Sequence, residues 1–153
     1  MNRIYRNYNK FHMASNISNN IDYAGVRDYG NEFFSADLNK IVINNENFRT
    51  ALWTGNNLQL TLMCINPKES IGTEIHQNVD QFFMVTSGNG MILMGNNQSM
   101  SEYKSKLDSG TVAIVPAGKW HNVINIGETP LKLFSIYAPP QHKKGTIHKR
   151  KVE

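Results

Sequence analysis

Short apolar or alternating segments, each bounded by Gly, Asn, Pro or Asp, follow one another along most of the chain. They are KIVINNENFRTALWTG, LQLTLMCINP, EIHQN, DQFFMVTSGNGMILMGNN, GTVAIVPAG, HNVINIGETP and LKLFSIYAPP. Closely spaced runs of this kind, separated by turn residues, are typical of the strands of an antiparallel sandwich or barrel. Helical periodicity is not sustained for more than about three turns anywhere in the chain. The pattern therefore predicts an all-β fold.

The chain divides into three parts by composition. Residues 1–37 are polar and rich in asparagine, which predicts an irregular N-terminal arm anchored by Phe33 and Phe34. A frayed terminus is the simpler alternative for this part. Residues 38–140 contain the predicted strands and would form the barrel, and residues 141–153 form a basic tail. A chain of 153 residues fits a single domain with one core.

Composition and charge narrow the classes of protein. Charged residues make up 18% of the chain, and no apolar run is long enough to cross a bilayer, which predicts a soluble globular protein. The first residues, MNRIYRNYNKFHMASN, lack the apolar core of a signal peptide, so we expect a cytoplasmic location. Much of the net charge of +4 lies in the tail, where solvation explains it better than nucleic-acid binding, because aromatic residues are not interleaved there.

Polar side chains interrupt one of the predicted strands, in IGTEIHQNVDQFF. Glu74 and His76 are two residues apart, so in an extended strand they project to the same face, and Gln81 follows. Burying a carboxylate and an imidazole in an apolar interior costs on the order of several kcal/mol unless each is paired or bound to a cation. The stretch therefore favours a metal site. A buried polar network without metal is the alternative.

A second group of residues with fixed spacing occurs in GTVAIVPAGKWHNVIN. Proline and glycine make a turn there, and a histidine begins the next predicted strand. This segment resembles the second motif of the cupin family, G-x5-P-x-G-x2-H-x3-N. The motif is met in full by Gly110, Pro116, Gly118, His121 and Asn125.

The first motif of the cupin family, G-x5-H-x-H-x4-E-x6-G, is met with changes. His76 and Gly88 match the motif. Lys68 stands in place of the first glycine, Glu74 in place of the first histidine and Gln81 in place of the glutamate. One carboxylate is thus retained among the matching ligand positions, although its place in the order has changed.

The resemblance runs from about Phe48 to Tyr137, and the tail APPQHKKGTIHK is similar to that of small single-domain bacterial cupins, some of which are labelled mannose-6-phosphate isomerase-like. It implies a cupin jelly-roll barrel, as a rule a homodimer, with a divalent metal inside. The implied metal ligands are Glu74, His76, Gln81 and His121. Two imidazoles, a carboxylate and an amide oxygen suit a first-row divalent ion such as Mn, Fe, Co, Ni or Zn.

Such a ligand set admits more than one chemistry. Two histidines and one carboxylate are the ligands of non-haem Fe(II) oxygenases, and the same ion as a Lewis acid suits isomerase-like chemistry. Gln81 would bind the metal directly or orient a metal-bound water. We therefore expect a metal-dependent enzyme that acts on a small polar metabolite, such as a sugar or sugar phosphate. The alternative is a non-catalytic cupin module that binds a small molecule such as a sugar.

Further residues are candidates for the surroundings of the metal. Phe83 lies on the predicted inner face and would be either a pocket wall or barrel core. Arg49 would clamp a substrate carboxylate or phosphate, although a surface ion pair is the favoured interpretation. Tyr137 is assigned to packing. His142 and His148 lie in the tail, where a second metal site is not expected.

Overall fold

The structure, a computed structural model, describes residues 27–151; most of the predicted arm, residues 1–26, lies outside the described part. In that part no helix is both long and apolar enough to cross a membrane. Its elements, in chain order, are α1 (Leu38–Asn44), β1 (Arg49–Thr54), β2 (Gln59–Ile65), β3 (Glu74–Ile75), β4 (Asp80–Ser87), β5 (Gly90–Gly95), β6 (Tyr103–Leu107), β7 (Val112–Val115), β8 (Trp120–Asn125), β9 (Leu131–Ala138) and β10 (Ile147–His148).

The strands form two antiparallel sheets. The larger sheet has the order β10-β1-β2-β9-β4-β7, and the smaller one has the order β3-β8-β5-β6. The chain passes repeatedly from one sheet to the other, so strands that are distant in sequence pair with each other, as β2 does with β9 and β5 with β8. This is the arrangement of a jelly roll. The predicted all-β jelly-roll fold is therefore confirmed.

The main core lies between the two sheets. Phe83 and Val85 of β4 are fully buried and meet Ile92 and Val123 of the smaller sheet in one apolar cluster. Phe82, between the two buried residues, points to the opposite face of the larger sheet and joins a second cluster there. Alternating residues of a strand project to opposite faces, which is why β4 contributes to both clusters.

The segment Leu38–Asn44 is a helix, although its sequence was included among the predicted strands, so that prediction was wrong. Asp37 caps the helix, and its carboxylate accepts a hydrogen bond from the Lys40 amide at 3.2 Å. Ile41 and Val42 are buried against the outer face of the larger sheet. Branched residues disfavour a helix only weakly, and here the cap and the packing on the sheet outweigh that preference.

The aromatic anchor before this helix is Phe34. Its ring stacks on Tyr29, with 5.1 Å between the ring centroids, and packs against the outer cluster. Phe33 is fully exposed and does not anchor the arm on its own barrel, so a role for Phe33 on a partner subunit stays a prediction. Adjacent residues in an extended segment point in opposite directions, which allows only one of the two rings to reach the sheet.

A left-handed residue occupies the position at which the first cupin motif has glycine. Lys68 has a φ of 68°, and it follows Pro67 in a turn closed by a hydrogen bond from the Glu69 amide to the Asn66 carbonyl at 3.1 Å. Proline followed by a residue with positive φ is typical of a type II turn, in which glycine is strongly favoured at the second position. The backbone conformation has thus been kept although the glycine has not.

We expect Lys68→Gly to stabilise the protein by up to about 1 kcal/mol, because glycine has no Cβ and adopts the left-handed conformation without strain. The gain is reduced by the conformational entropy that glycine adds to the unfolded chain. Thermal or urea unfolding measures the effect. Lys106→Gly is the matched control. Lys106 is an exposed lysine within β6, where glycine should destabilise the protein by about 0.5–1 kcal/mol. A destabilised Lys68→Gly variant would contradict the prediction.

Candidate metal centre

Two short strands bring the predicted ligands together. Glu74 of β3 and His121 of β8 are direct partners in the antiparallel pairing, so their side chains project to the same face. The Nε2 atom of His121 lies 3.9 Å from Glu74 Oε2, and the Nε2 atom of His76 lies 3.6 Å from the same oxygen. The three ligand atoms all lie within 4.8 Å of one another. Residues from the two separate motif segments therefore form one cluster.

The unpartnered atoms of this cluster allow a test of whether a cation fits. Glu74 Oε2, His76 Nε2 and His121 Nε2 are all buried, and none of them has a hydrogen-bond partner. Each unsatisfied buried polar atom costs about 1–3 kcal/mol, and one cation would satisfy all three. Ligands that bind a tetrahedral ion at about 2.1 Å lie about 3.4 Å apart, so the two spacings between Glu74 and the histidines require only a small contraction. The donor set fits a divalent first-row metal.

His121 is oriented as a ligand by its own turn. Its Nδ1 atom lies 3.2 Å from the Lys119 carbonyl oxygen. Because a carbonyl can only accept, Nδ1 carries the proton in this hydrogen bond, and Nε2 presents its lone pair to the cluster. Burial lowers the pKa of His121, an effect that the Lys119 carbonyl and Glu74 oppose only in part. The neutral imidazole, which is the form that binds metal, is therefore favoured.

Glu74 divides its two oxygens between different partners. Oε2 faces the histidines, and Oε1 lies 3.7 Å from Arg49 Nη2. Burial alone would raise the pKa of Glu74, but the close approach of His76 and the charge of Arg49 outweigh it, so the pKa is lowered. The side chain is thus held as a carboxylate, which is the ionised form that a cation requires.

Arg49 lies inside the barrel. Only 6% of the residue is exposed, so the favoured interpretation of Arg49 as a surface ion pair was wrong. The reason is that β1 is flanked on both sides, by β2 and by β10 of the tail, with His148 directly opposite Arg49. Its guanidinium faces Glu74 in the interior, and its Nε has no hydrogen-bond partner.

Gln81 and Phe83 project from β4 toward the same interior. Gln81 is buried, and its Nε2 donates a hydrogen bond to Ser135 Oγ at 3.0 Å, which leaves Oε1 without a partner. A direct bond from Gln81 to metal stays a prediction. Phe83 belongs to the barrel core, and its ring centroid also lies 6.1 Å from that of His121. Phe83 is therefore barrel core, and its role as a pocket wall stays a prediction.

Two residues near the cluster were missed by sequence reasoning. Tyr137, assigned to packing, is fully buried and has a hydroxyl without a partner, and its ring centroid lies 5.8 Å from that of His76. His142 of the tail lies edge-on to Tyr137, with 5.0 Å between the ring centroids. The alternation in β9, where Tyr137 shares a face with Ser135, could have indicated the first. Nothing in the local sequence indicates the second.

Gln59 holds the tail in place beside Tyr137 through hydrogen bonds to residues 141 and 142. It is fully buried, and its Nε2 donates to the His142 carbonyl at 2.9 Å. Its Oε1 accepts hydrogen bonds from the amides of His142 at 2.9 Å and Gln141 at 3.3 Å. Farther along, β10 pairs with β1. The basic side chains at 149–151 are exposed, as expected for solvated charges, but the backbone of the preceding residues is fixed to the barrel.

Asn125, the last residue of the second motif, is structural. Its Nδ2 donates to the carbonyl oxygens of Ile65 and Thr129, both at 2.8 Å, and its Oδ1 accepts from the Gly127 amide at 2.9 Å. These bonds tie the end of β8 to β2 and to the following turn. Of the second motif, only His121 contributes a side chain to the ligand cluster, and the amide of Gly118 donates to the His76 carbonyl at 2.8 Å.

A jelly roll with a buried Glu/His cluster at these motif positions defines a cupin. Residues 61–137 match the cupin domain family Cupin_2, and the chain belongs to this family. The resemblance to cupins that the two motifs indicated is therefore confirmed, and the matched residues cover most of the range from Phe48 to Tyr137.

Three similar proteins extend the comparison. The uncharacterized protein YrkC of Bacillus subtilis (strain 168) is 47% identical over 128 residues, which are 84% of this chain and 69% of YrkC. The uncharacterized protein L612 of Acanthamoeba polyphaga mimivirus is 34% identical over 124 residues, 80% of this chain and 76% of L612. The crystal structure of BH2720 from Bacillus halodurans aligns with a TM-score of 0.81 at 46% identity, over 82% of this chain and 96% of that one. None of these names states an activity.

We expect Gln59→Leu to release the tail locally, because the variant keeps the side-chain bulk and removes all of the hydrogen bonds to Gln141 and His142. Hydrogen exchange should become about tenfold faster at the His142 amide, whereas amides of β9 such as that of Phe134 should not change. Gln98→Leu, an exposed glutamine in a distant turn, is the control. Unchanged exchange at His142 would show that the fastening lies elsewhere.

Proposed function

We propose that the protein is a metal-dependent cupin enzyme in which Glu74, His76 and His121 hold a first-row divalent cation. The supporting observation is the set of buried ligand atoms that lack any other partner. Gln81 completes or tunes the site through its free Oε1. Mn, Fe, Co, Ni and Zn all suit these donors. The substrate is a small polar metabolite that enters the barrel beside the cluster.

The residues around the cluster have separate tasks in this proposal. When bound, the cation supplies a Lewis acid for isomerase-like chemistry or a centre for oxygenase chemistry. Glu74 contributes the negative charge that offsets part of the cation's charge. The Lys119 carbonyl keeps His121 in its binding orientation. Phe83 excludes water from one side of the ligand cluster. Gln81 orients a hydroxyl group or a water molecule by accepting a hydrogen bond from it.

A non-catalytic module that binds a small molecule is the second candidate. The contacts of Glu74 favour this module, because Glu74 supplies the one carboxylate of the ligand cluster in the described chain. Both of its oxygens face other groups, Arg49 on one side and the histidines on the other. A separate general base, which most isomerisations require, is therefore not provided by this cluster once a cation is bound.

We also propose that the protein is a cytoplasmic homodimer that binds neither membranes nor nucleic acid. The apolar side chains Val112 and Ile114 are exposed on β7, the edge strand of the larger sheet, and an edge strand of this kind favours association. Sedimentation equilibrium measures the oligomeric state.

Metal content is the test of the proposed ligands. Protein purified without an affinity tag or a chelator should contain close to one first-row metal ion per chain by elemental mass spectrometry. His76→Ala and His121→Ala should each lose most of it, because two remaining protein ligands bind weakly. His148→Ala, which removes a nearby histidine outside the ligand cluster, should keep it. Circular dichroism confirms that the variants are folded. Full occupancy in both His76→Ala and His121→Ala would overturn the assignment.

The enzyme and the binding module differ in the fate of the ligand. A metabolite that raises the melting temperature of the metal-loaded protein should be recovered chemically changed if the protein is an enzyme. Mass spectrometry and NMR of the recovered compound decide between the two. Recovery of every stabilising ligand unchanged, after prolonged incubation with and without O2, would favour the module.

A further inference from the structure

We propose that the site takes a small organic acid, whose carboxylate is bound by Arg49 Nε and the Tyr137 hydroxyl beside the metal ligands. The inference rests on the proposed metal centre, and it names the class of substrate for that centre. Neither residue is one of the proposed metal ligands.

Arg49 supplies a buried hydrogen-bond donor that nothing in the described chain uses. The side chain is almost completely buried, and Nε has no partner, whereas Nη2 is directed to Glu74. Guanidinium donors are arranged as a rigid fork that matches the two oxygens of a carboxylate. Leaving a buried N–H group of arginine without a hydrogen-bond acceptor costs free energy of folding, and a bound ligand can supply that acceptor. A carboxylate in the interior would complete them.

Tyr137 supplies a second unused donor on the same wall. It is fully buried, and in the larger sheet it lies directly opposite Gln81 of the neighbouring strand. Its hydroxyl makes no hydrogen bond within 3.5 Å, although Ser135 and Arg49 are close enough to affect its pKa. Burial raises the pKa of the phenol, and Arg49 is close enough to oppose this in part. The hydroxyl therefore keeps its proton and can donate it in a hydrogen bond. Arg49 Nε and the Tyr137 hydroxyl offer one donor for each carboxylate oxygen.

The charges inside the barrel favour an anionic ligand over a neutral one. The carboxylate of Glu74 faces the guanidinium of Arg49 as well as the histidines, so this carboxylate and this guanidinium together carry no net charge. A divalent cation therefore adds two uncompensated positive charges to a buried site, which is costly. A ligand carboxylate offsets one of them and gains charge-assisted hydrogen bonds, whereas a neutral sugar offsets none.

The tail lies against Tyr137 without adding charge. His142 lies against Tyr137, and its Nε2 is buried without a partner. Burial and the nearby charge of Arg49 lower its pKa to about 4, so the imidazole is neutral. The two donors match the two oxygens of a carboxylate, whereas the three oxygens of a phosphate group would need a third donor.

Calorimetric titration of the metal-loaded protein tests the inference. The probes are the 2-hydroxy acid lactate, its neutral analogue lactamide, the related acids pyruvate and malate, and methyl phosphate. At least one of the acids should bind, and for lactate the affinity should exceed that of lactamide by at least about tenfold. Tyr137→Phe removes only the hydroxyl and should weaken acid binding about tenfold. Arg49→Met should weaken it by more. Arg150→Gln removes a charge from the exposed tail and should have no effect.

The metal content of each variant is measured first, so that the two proposals can fail separately. Wild-type protein that binds no metal after reconstitution would overturn the metal centre and this inference with it. A loaded protein that binds none of the acids, or binds lactate and lactamide equally, would overturn the inference alone. Tighter binding of methyl phosphate than of every acid would do the same. Tyr137→Phe, which leaves the Arg49–Glu74 pair intact, keeps the result decisive if Arg49→Met fails to fold.

Discussion

The pairing of Glu74 with His121 across β3 and β8 is the contact on which the site depends. The strand β3 has only two residues, yet its register places a carboxylate beside an imidazole that comes from a distant part of the sequence. His76 joins the pair because it follows Glu74 by two positions. A shift of β3 by one residue in this register would turn Glu74 to the other face of the sheet, away from His121. The chemistry of the site is therefore set by backbone hydrogen bonds.

The electrostatics of the interior extend beyond the ligands. Arg49 holds one oxygen of Glu74 and leaves the other for the histidines, so it contributes to the geometry as well as to the charge. Buried ion pairs of this kind add little to stability, because desolvation cancels most of the attraction. The burial of Arg49 is therefore better explained by a role in function than by a contribution to stability.

The sequence predicted the features that depend on local periodicity or on motif spacing. The alternation of Gln81, Phe82 and Phe83 in β4 and the position of His121 after its turn could be read directly. The helix at Leu38–Asn44 and the burial of Arg49 could not, because each depends on packing against segments that are distant in the sequence. The same holds for His142, which is placed by Gln59 from 83 residues away.

The fastening of the tail by Gln59 has a consequence for the order of assembly during synthesis. The chain leaves the ribosome from its N-terminus, so Glu74, His76 and His121 emerge before His142 does. The hydrogen bonds from Gln59 to Gln141 and His142 can form only after the tail has been synthesised. The wall beside Tyr137 is therefore the last part of the site that can be completed.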